Sequence, residues 1–567
     1  MNFKRKIANM LSRTLQWDED FYNMLEIPPD QSLGDYALPC FAFAKKFGKN
    51  PSVIAEEIKS SLRPNKYIHS VESKGPYVNF FIDYGLFAEQ IISDIRKRKS
   101  KYGSSKIGRS RVVVIDYSSP NIAKPFSIAH LRSTAIGNAL YRIYNFAGYK
   151  CVGINHLGDW GTQFGKLIVG YRMWGNKKKL EKEPIKHLLD VYVKFHKAAE
   201  EDPTLNDAAR MWFKALEEGD KQAKNLWSLF RKESLKEFKK LYKRLGVKFD
   251  SYLGEAFYTD KVSETVSMLK KKRILVESEG AMVVECDGIP PCIILKRDGA
   301  TTYPARDICA AIYRYNTYKF SRMLYVVDMR QSLHFEQVIC VLRRAGFRWA
   351  DKICHVKFGL MQFGEGEIMS TREGKVIFLE DVLDKVVSLV KDIINSKNPR
   401  LRAKNDVAES VGIGAVIFWD LLHDRTRDIT FDWNKVLDFE GETGPYVQYS
   451  YARASAILRK SRFGSRKRRM VKPDYHKLSH PKEKNLIRML SCFKDIILKS
   501  IEDNKPSILA RYLVDLAQCF NEFYQSCTCI GIEDRSLSSA RLALVGAFRQ
   551  VVGNGLNLLG IKAPEEM

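Results

Sequence analysis

A loop of polar and proline residues, SSPNIAKPFSIAHLRST, joins a buried strand to an amphipathic helix. Pro120 and Pro125 stiffen this loop. Ser127, Ala129 and His130 lie at or near the start of the helix, where free backbone N–H groups and the helix dipole favour anions. The segment therefore suits a triphosphate: a histidine there can donate to phosphate oxygens, and a small alanine lets an adenine ring approach the backbone. A helix cap without a ligand is the alternative for this histidine.

Two standard nucleotide-binding motifs fail in this sequence. GDWGTQFGK is similar to a phosphate-binding loop, but Trp160 stands where the P-loop spacing requires glycine, and Leu167 replaces the Ser or Thr that would hold magnesium. GIGAVI at 412–417 lacks the third glycine of the dinucleotide fingerprint. An ordinary P-loop NTPase and a Rossmann dehydrogenase are therefore disfavoured.

Hydrophobic patterning predicts the elements that position the loop. RVVVIDYS at 111–118 is typical of a buried parallel strand, and apolar residues on one face predict a helix from Ser127 to Phe146. YKCVGINHLGD at 149–159 predicts the next strand. Strand, helix and strand at this spacing form a βαβ unit, whose right-handed crossover places both strand ends on one side.

The same α/β pattern returns further along the chain. Residues 165–290 are rich in Lys and Glu with helical periodicity, and we interpret them as an insertion. After them the sequence predicts helices near 306–319 and 334–346 and strands at 323–329 and 355–361. Two βαβ halves split by an insertion form a doubly wound parallel sheet, in which ligands bind at the carboxyl ends of the strands.

Composition breaks divide the chain into three predicted domains. Residues 1–100 form a small α+β domain that ends in a cationic linker. Residues 108–400 carry the doubly wound sheet with its insertion at 165–290. In residues 405–567 strand patterns fade and amphipathic helices dominate. The predicted fold class is a multidomain α/β protein with a small α+β N-terminal domain and an α-helical C-terminal domain.

The charge composition indicates an anionic partner. Lys and Arg total 93 against 66 Asp and Glu, which gives a formal net charge of +27 over 567 residues. Nucleic acid, an anionic membrane surface and a phosphorylated substrate all fit this excess, as does a basic surface that only confers solubility. No window approaches the roughly 18 apolar residues of a spanning helix, and the basic N-terminus lacks a secretory apolar core. We therefore expect a cytoplasmic protein that does not cross a membrane.

The 11 cysteines are scattered along the chain without a CxxC pair, and Cys527 and Cys529 form only a CxC. Zinc ribbons and disulfide frameworks need tighter patterns. The sequence therefore predicts free, mostly buried thiols, with no zinc and no other protein-held metal.

Five sequence blocks in order resemble the class I arginyl-tRNA synthetases. They are SSPNIAKP with His130, NHLGDWGTQFG at 155–165, YPARD at 303–307, MSTREGKVIFLEDVL at 369–383 and ETGPYVQYSYAR at 442–453. GDYALPCFAFAKKFGKNPSVIAEEI at 34–58 is similar to the family's N-terminal domain, which contacts the outer corner of tRNA. The resemblance covers nearly the whole chain and implies a class I, Rossmann-like catalytic domain and a helical anticodon-binding domain.

The activity that this resemblance implies is that of an arginine–tRNA ligase. Arginine attacks the α-phosphate of ATP, which carries Mg²⁺, to form arginyl-adenylate and release pyrophosphate. The terminal ribose of tRNA(Arg) then takes the arginyl group and AMP is released. In this family the first step generally needs tRNA, and we expect a monomer. Positioning and electrostatics must supply most of the acceleration, because little covalent chemistry is asked of the protein.

The amino-acid pocket suits a guanidinium, which has five fixed donors and needs planar acceptors, ideally carboxylates. Asp307 follows Tyr303 by four residues, so both can face one pocket from the start of a helix. By resemblance, Tyr303, Asp307 and Gln331 contact the arginine side chain. By resemblance, the polar groups of arginine are held at two adjacent strand ends by Asp116, Ser118, Asn121 and His156. Each of these could instead be a strand-end cap or a core hydrogen bond.

The first class I signature, His-Ile-Gly-His, is altered in this chain. It reads Ser127, Ile128, Ala129 and His130, so the first imidazole and the glycine are lost. Ser127 can donate one hydrogen bond but carries no charge. By resemblance, Ser127, Ala129 and His130 still bind ATP, and His334 also approaches the nucleotide.

The second signature, Lys-Met-Ser-Lys-Ser, is altered as well. Its Met369, Ser370 and Thr371 are implied to bind ATP, but Thr371 stands where the second lysine would neutralise the β- and γ-phosphates. Lys124, just before the first signature, is the predicted replacement, and Arg372 is the second candidate. A plain surface lysine is the alternative for Lys124.

The C-terminal region carries candidate tRNA contacts. Tyr446 and Tyr449 could stack on unpaired bases, although aromatic residues at helical spacing also occur in cores. The basic run at 459–472 would bind phosphate.

Two other functions compete with the ligase reading. One is a catalytically inactive paralogue that binds tRNA, suggested by the altered first signature. The other is an adenylyltransferase for a small molecule that does not bind RNA.

Overall fold

The computed structural model describes residues 3–363, 378–464 and 471–567. The chain forms two compact units, each described here separately. One consists of Met1–Tyr102, Ala454–Phe493 and Gln518–Val551, and the other of Gly103–Arg453, Lys494–Ala517 and Val552–Met567. In the parts of the chain that the structure describes, no helix is long and apolar enough to span a bilayer.

The N-terminal part of the first unit is a small α+β fold. Its elements in chain order are α1 (Phe3–Leu15), α2 (Phe21–Met24), β1 (Tyr36–Pro39), α3 (Phe41–Phe47), α4 (Pro51–Ser61), β2 (Ile68–Lys74), β3 (Tyr77–Ile82) and α5 (Tyr84–Arg98). The strands form an antiparallel sheet in the order β1-β3-β2. Helix α4 begins where Asn50 accepts from the Ser52 N–H and Pro51 fits the first turn. Its buried Ile54 and Ile58 belong to the core of this fold.

The second unit begins with the elements of the catalytic region. In chain order they are β4 (Val112–Asp116), α6 (Ile128–Phe146), β5 (Lys150–Ile154), α7 (Gln163–Trp174), α8 (Lys177–Lys182), α9 (Pro184–Glu201), α10 (Thr204–Glu218), α11 (Lys221–Leu245), α12 (Val262–Lys271), β6 (Val276–Ser278), β7 (Ala281–Cys286), β8 (Ile289–Leu295), α13 (Tyr303–Tyr318), β9 (Arg322–Tyr325), α14 (Ser332–Arg344) and β10 (Ile353–His355). The predicted strands and helices of both βαβ halves are present.

A parallel sheet with the order β10-β9-β4-β5 lies at the centre of this unit. The chain passes from β4 through α6 to β5, and later adds β9 and β10 on the other side of β4. The strand order therefore reverses between β4 and β9, which is where doubly wound sheets bind ligands at their carboxyl ends. This architecture confirms the predicted fold class. Val113, Val114 and Ile115 of β4 are fully buried, which agrees with the continuous apolar sequence of a central parallel strand.

The sequence pattern suggested an inserted segment that is helical throughout, but the structure contains strands in it. Helices α7 to α12 are followed by an antiparallel sheet with the order β6-β7-β8. Val284, Cys292 and Ile294 are buried in this sheet and join the core beneath α13 and α14. The strands are short and separated by tight turns, so the surrounding Lys- and Glu-rich helical periodicity obscured them.

The remaining elements of the chain are mostly helical. They are β11 (Met361–Phe363), α15 (Leu379–Lys397), α16 (Lys404–Leu422), β12 (Ile429–Phe431), α17 (Trp433–Val436), α18 (Gly444–Gly464), α19 (Pro481–Glu502), α20 (Pro506–Ser526) and α21 (Arg535–Leu558). Strands β11 and β12 pair in parallel. Helices α18 to α21 contribute residues to both units. The predicted shift to helices after residue 405 is therefore found.

The expectation of free thiols throughout is wrong for one pair of cysteines. Cys286 of β7 and Cys340 of α14 form a disulfide, with their Cα atoms 6.1 Å apart. The other nine cysteines are free. No spacing motif signals this pair, because the fold brings together two elements that are distant in sequence.

Candidate active site

The loop after β4 is held in an unusual backbone conformation. Ser118, Ser119 and Ala123 have φ angles of 72°, 44° and 60°, in the left-handed region that residues other than glycine seldom occupy. The Ser118 N–H donates to Ser133 Oγ at 2.9 Å, and the Ala123 N–H donates to Ser234 Oγ at 2.9 Å. Strain of this kind concentrates at functional sites, where the surrounding structure fixes it.

Two residues of this loop that were predicted to hold arginine have different surroundings. The Ser118 side chain is buried, with its Oγ 2.7 Å from the Tyr242 hydroxyl and 2.9 Å from that of Thr134. Asn121 is exposed and packs so closely on Gly158 that a Cβ there would lie 1.8 Å from its Oδ1. Asn121 is therefore open to a ligand, and Ser118 belongs to an internal hydroxyl network.

At the start of α6, His130 is arranged as a neutral donor. The Ser127 N–H donates to its Nδ1 at 3.1 Å, so in the neutral ring Nε2 carries the proton. His130 is half-buried, and its burial, with the charge of Lys124, lowers the pKa of the ring to about 4. Ala129 beside it is exposed. A neutral imidazole and free helix N–H groups therefore form the anion side of the site.

Lys124 is half-buried in the loop that precedes this helix. Its charge reaches the His130 ring, where it lowers the pKa, and its Nζ lies 5.9 Å from the centre of the Tyr192 ring on α9. Lys124 therefore lies near His130, on the side of the site that suits an anion.

Beneath His130, α6 is fixed to the rest of the site by a buried arginine. Arg132 Nε lies 2.7 Å from Asp420 Oδ1 of α16, and both side chains are fully buried. Its Nη1 also donates to the carbonyls of Gly359 at 2.6 Å and Arg427 at 2.9 Å. The segment after Gly359 continues into β11, so Arg132 connects the first-signature helix to the strand that leads toward the second signature.

The second signature itself lies outside the described residues. This concerns the predicted nucleotide contacts Met369, Ser370, Thr371 and Arg372.

On the other side of the site, Asp307 lies near the start of α13, between two histidines. His334 Nε2 is 2.6 Å from Asp307 Oδ2, and His156 Nε2 is 3.9 Å from Oδ1. Burial alone would raise the pKa of Asp307, but the hydrogen bond from His334 and the nearby charges of His334, His156 and Arg314 outweigh it and hold the pKa below its usual value. The carboxylate is therefore ionised at neutral pH. It is also 25 % exposed, so a cation can reach it.

His334, which was predicted to approach the nucleotide, lies against Asp307, and its place relative to ATP stays a prediction. His156 is oriented from its other nitrogen, because Nδ1 lies 3.3 Å from the Leu253 carbonyl, which can only accept. Both histidines therefore have one nitrogen directed at the same carboxylate.

Asp116, at the carboxyl end of β4, is engaged within the protein. Its Oδ2 lies 2.7 Å from Arg314 Nη1 of α13, and its Oδ1 accepts from Ser119 Oγ at 2.8 Å. Asp116 and Arg314 side chains are 5 % and 1 % exposed. The sequence motifs gave no indication of Arg314.

Glu255 is a further acidic group of this pocket that the sequence patterns missed. It opens a short 3₁₀ helix, Glu255–Tyr258, whose Ala256 N–H donates to Asp159 Oδ1 at 2.9 Å. Burial, followed by the negative charge of Asp307, raises the pKa of Glu255 to about 7. A lone glutamate in an irregular segment carries no pattern, so only the fold reveals its place beside Asp307.

Tyr303 and Gln331 lie at the entrance to this pocket. Tyr303 is 63 % exposed, with the Arg306 guanidinium carbon 5.4 Å from its ring centre. Gln331 is exposed at the end of a 3₁₀ helix that precedes α14. Tyr303, Arg306 and Lys296 also line an open cleft of about 440 Å³.

The candidate tRNA contacts on α18 differ in exposure. Tyr449 is 40 % exposed, and the Arg453 guanidinium carbon lies 4.8 Å from its ring centre. Tyr446 is half-buried. Of the basic run at 459–472, residues 465–470 lie outside the described part of the chain.

Together these groups form a two-sided site at the carboxyl ends of β4, β5 and β9. One side presents the ionised carboxylate of Asp307, which suits a cationic side chain, and the other presents backbone N–H groups and a neutral imidazole that suit phosphate. Within the described ranges, no group of three His, Cys, Asp or Glu side chains could hold a metal ion. The arrangement can bring a cationic amino acid and a nucleoside triphosphate together.

Family models match three successive parts of the chain. Residues 1–82 match the arginyl tRNA synthetase N terminal domain, residues 91–433 match the catalytic domain of class I tRNA synthetases (R), and residues 447–567 match the DALR anticodon binding domain.

Similar proteins cover the whole chain. The arginine–tRNA ligases of Clostridium kluyveri and Clostridium acetobutylicum are 50% and 49% identical to it over 570 residues, with 100% of both proteins covered in each case. The solved arginyl-tRNA synthetase of Thermus thermophilus superposes with a TM-score of 0.82 at 25% identity and covers 100% of both chains. The chain belongs to the class I arginyl-tRNA synthetase family.

Proposed function

We propose that this chain attaches L-arginine to tRNA(Arg) in two ATP-dependent steps that release pyrophosphate and AMP. The observation that carries the proposal is Asp307, an ionised carboxylate held between His334 and His156. A planar carboxylate matches the fork of a guanidinium, which a lysine ammonium does not use. Full-length similarity to arginine–tRNA ligases supports the same substrate.

In the proposed first step, an oxygen of the arginine carboxylate attacks the α-phosphorus of ATP, and the bond to the pyrophosphate oxygen breaks. Asp307 and Glu255 hold the guanidinium, with Tyr303 and Gln331 at the pocket entrance and Asn121 near the polar end of arginine. Asp116 and Ser118 act through buried networks in this assignment. His130 donates from Nε2 to a phosphate oxygen, and the N–H groups near Ser127 and Ala129 take part of the charge.

The positive charge opposite the β- and γ-phosphates is assigned to Lys124, with Arg372 as the second candidate. Mg²⁺ would neutralise part of the phosphate charge. In this assignment the cation is carried by the nucleotide. Met369, Ser370 and Thr371 remain proposed ATP contacts on the basis of resemblance.

In the proposed second step, the terminal ribose hydroxyl of tRNA attacks the arginyl carbonyl and AMP leaves. The open cleft beside Tyr303 gives the tRNA end a route to the pocket. Tyr446 and Tyr449 are proposed base contacts. We assign residues 1–100, 108–400 and 405–567 as the tRNA-contacting, catalytic and anticodon-binding domains, and propose a cytoplasmic monomer.

The inactive tRNA-binding paralogue is the second candidate, because Ser127 and Ala129 alter the first signature. The assembled pocket around Asp307 disfavours it, since a chain that only binds tRNA has no use for a desolvated, hydrogen-bonded carboxylate.

Charging of total tRNA with labelled arginine, beside lysine and the other amino acids, tests the proposal. We expect arginine alone to be attached, and ATP–pyrophosphate exchange to depend on tRNA. Tight tRNA binding without charging or exchange would support the paralogue. Exchange with another amino acid, or with a small molecule in the absence of RNA, would contradict the proposed substrate.

A further inference from the structure

A buried arginine in the wall of a pocket built for a guanidinium is unexpected on electrostatic grounds. Arg314 carries the same charged group as the proposed substrate, yet it lies on the helix face that bears Asp307, about two turns further along α13. Its side chain is 1 % exposed, so its charge is screened little by water.

Arg314 is engaged with the end of β4 through one nitrogen. Nη1 is 2.7 Å from Asp116 Oδ2, while the other oxygen of Asp116 accepts from Ser119 Oγ at 2.8 Å. The Ser119 oxygen in turn accepts from the His156 N–H at 3.2 Å. A continuous hydrogen-bonded chain therefore links α13 to the carboxyl ends of β4 and β5, the two strand ends that border the pocket.

The pair is not explained by stability. Within the described residues, Nε and Nη2 of Arg314 and the hydroxyl of Tyr325 are buried without a hydrogen-bond partner. The Arg314 guanidinium carbon lies 5.5 Å from the Tyr325 ring centre, which offers attraction by the ring. A buried ion pair that leaves donors unsatisfied is often no more stable than apolar residues of the same size.

The charge balance of the pocket gives the pair a function. Asp307, Glu255 and Asp116 would together present three carboxylates to a substrate side chain with one positive charge. Arg314 cancels the charge of Asp116 and, as a nearby cation, favours the ionised form of Asp307. The pocket is then left with the carboxylate opposite the two histidines and the weaker acid Glu255.

We propose that Arg314 is a positioning residue for arginine recognition: its ion pair with Asp116 fixes α13, and with it Asp307, against the end of β4 and limits the negative charge that faces the substrate. The inference rests on the proposed function, because it takes arginine to be the bound amino acid. It also changes the role of Asp116 from a direct contact of arginine to a partner of Arg314.

Variants at the pair test this role through tRNA-dependent ATP–pyrophosphate exchange, with arginine and ATP varied separately. We expect R314Q to raise the KM for arginine about thirtyfold and to leave the KM for ATP within about twofold of wild type. R322Q is the matched control, since Arg322 of β9 donates to the Tyr144 hydroxyl at 2.6 Å near the opposite end of the sheet. Its KM for arginine should not change.

The pH dependence separates positioning from a structural role. The charged and titratable groups that face Arg314 and Asp307 are Asp116, His156, Glu255, Tyr258, Tyr325 and His334. Loss of the Arg314 charge raises the pKa of Asp307, and arginine binding needs that group ionised. The acid limb of kcat/KM for arginine should therefore move to higher pH in R314Q and stay in place in R314K, which keeps the charge.

A double-mutant cycle decides whether Asp116 acts through Arg314. D116N leaves a buried guanidinium unpaired, and R314Q/D116N replaces the ion pair with two amides, so the double variant should bind arginine about tenfold better than D116N. Equal impairment of D116N and the double variant would overturn the proposal, as would an unchanged KM and pH profile in R314Q with only a lower melting temperature.

R314K keeps the test decisive if R314Q does not fold. It retains the charge without the planar fork, so a KM for arginine equal to that of wild type would overturn the positioning role. Failure of the proposed function has a different signature, because wild-type protein would then show no arginine-dependent exchange at all.

Discussion

The two sides of the site recognise charge by different means. The amino-acid side uses ionised side chains, with Asp307 hydrogen-bonded to His334 and lying near His156. At the start of α6 the nucleotide side presents neutral donors, since His130 has a pKa of about 4 and accepts from the Ser127 N–H, and Lys124 is the cation proposed to act beside them. A cationic substrate needs a carboxylate held in place before it arrives. A triphosphate brings its own charge and cation, so helix N–H groups and an imidazole can complete its binding.

A buried arginine supports each side. Arg314 pairs with Asp116 under the amino-acid side, and Arg132 pairs with Asp420 under the nucleotide side. The difference lies in their remaining donors: Arg132 Nη1 donates to backbone carbonyls, including that of Gly359, and its Nη2 is unpaired among the described residues, whereas Arg314 leaves both Nε and Nη2 unpaired there. Arg132 is thus suited to holding segments together, and Arg314 to setting charge.

The largest expected effect is that of Asp307→Asn. It removes the negative charge that pairs with the guanidinium and should lower kcat/KM for arginine by about a thousandfold, with the KM for ATP unchanged. Exchange kinetics with each substrate varied measure it. Asp351→Asn, in an exposed pair with Arg343, is the matched control. A loss of less than tenfold would remove Asp307 from the centre of recognition.

His130→Ala should have the next largest effect. It removes a neutral donor directed at phosphate, and we expect kcat for exchange to fall about a hundredfold while the KM for arginine is retained. Because the ring of His130 is neutral above a pH of about 4, the wild-type contribution should not change between mildly acid and neutral pH. The exposed His69→Ala controls for the loss of an imidazole. A raised KM for arginine would contradict the division between the two sides.

Lys124→Ala should reduce exchange in the presence of tRNA about tenfold, since Lys124 is proposed to replace the charge of the missing signature lysine. Lys150→Ala, at the amino end of β5 in the same sheet, should leave the rate unchanged. Equal rates in the two variants would show that Lys124 is a surface residue.

Glu255→Gln should have the smallest effect, which depends on pH. Glu255 has a pKa raised to about 7, so it is largely neutral in mild acid and becomes an anion as the pH rises through that value. The wild-type KM for arginine should fall across this range, and in the variant it should stay about threefold higher than wild type in mild alkali and match it in mild acid. Substitution of the exposed Glu285 of β7, Glu285→Gln, is the control. The same pH profile in wild type and variant would exclude Glu255 from the pocket.

Regular patterns in the sequence predicted the frame of the molecule well. The β-branched run at 111–118 and the apolar face of 127–146 gave β4 and α6 within a few residues, because burial imposes a strict periodicity on strands and helices. The short strands β6 to β8 were not predicted, because they lie in a segment dominated by helical charge patterns.

The site was predicted less completely, because its contacts join segments far apart in the chain. Motifs predicted that Asp307 and His130 belong to the site, because each lies in a short segment of characteristic sequence. They did not indicate that Arg314 engages Asp116, or that Glu255 lies beside Asp307, since such pairs depend on how strands and helices meet. The hydrogen bond between His334 and Asp307 has the same origin, since it joins α14 to α13.

The left-handed backbone at Ser118, Ser119 and Ala123 has a consequence for laboratory evolution. Glycine fits such φ angles with less strain, by about 1 kcal/mol for each residue. Selection for heat resistance alone would therefore be expected to introduce glycine in this loop. At position 119 it would remove the hydroxyl that joins Asp116 to the His156 N–H, so robustness would be gained at the expense of arginine affinity.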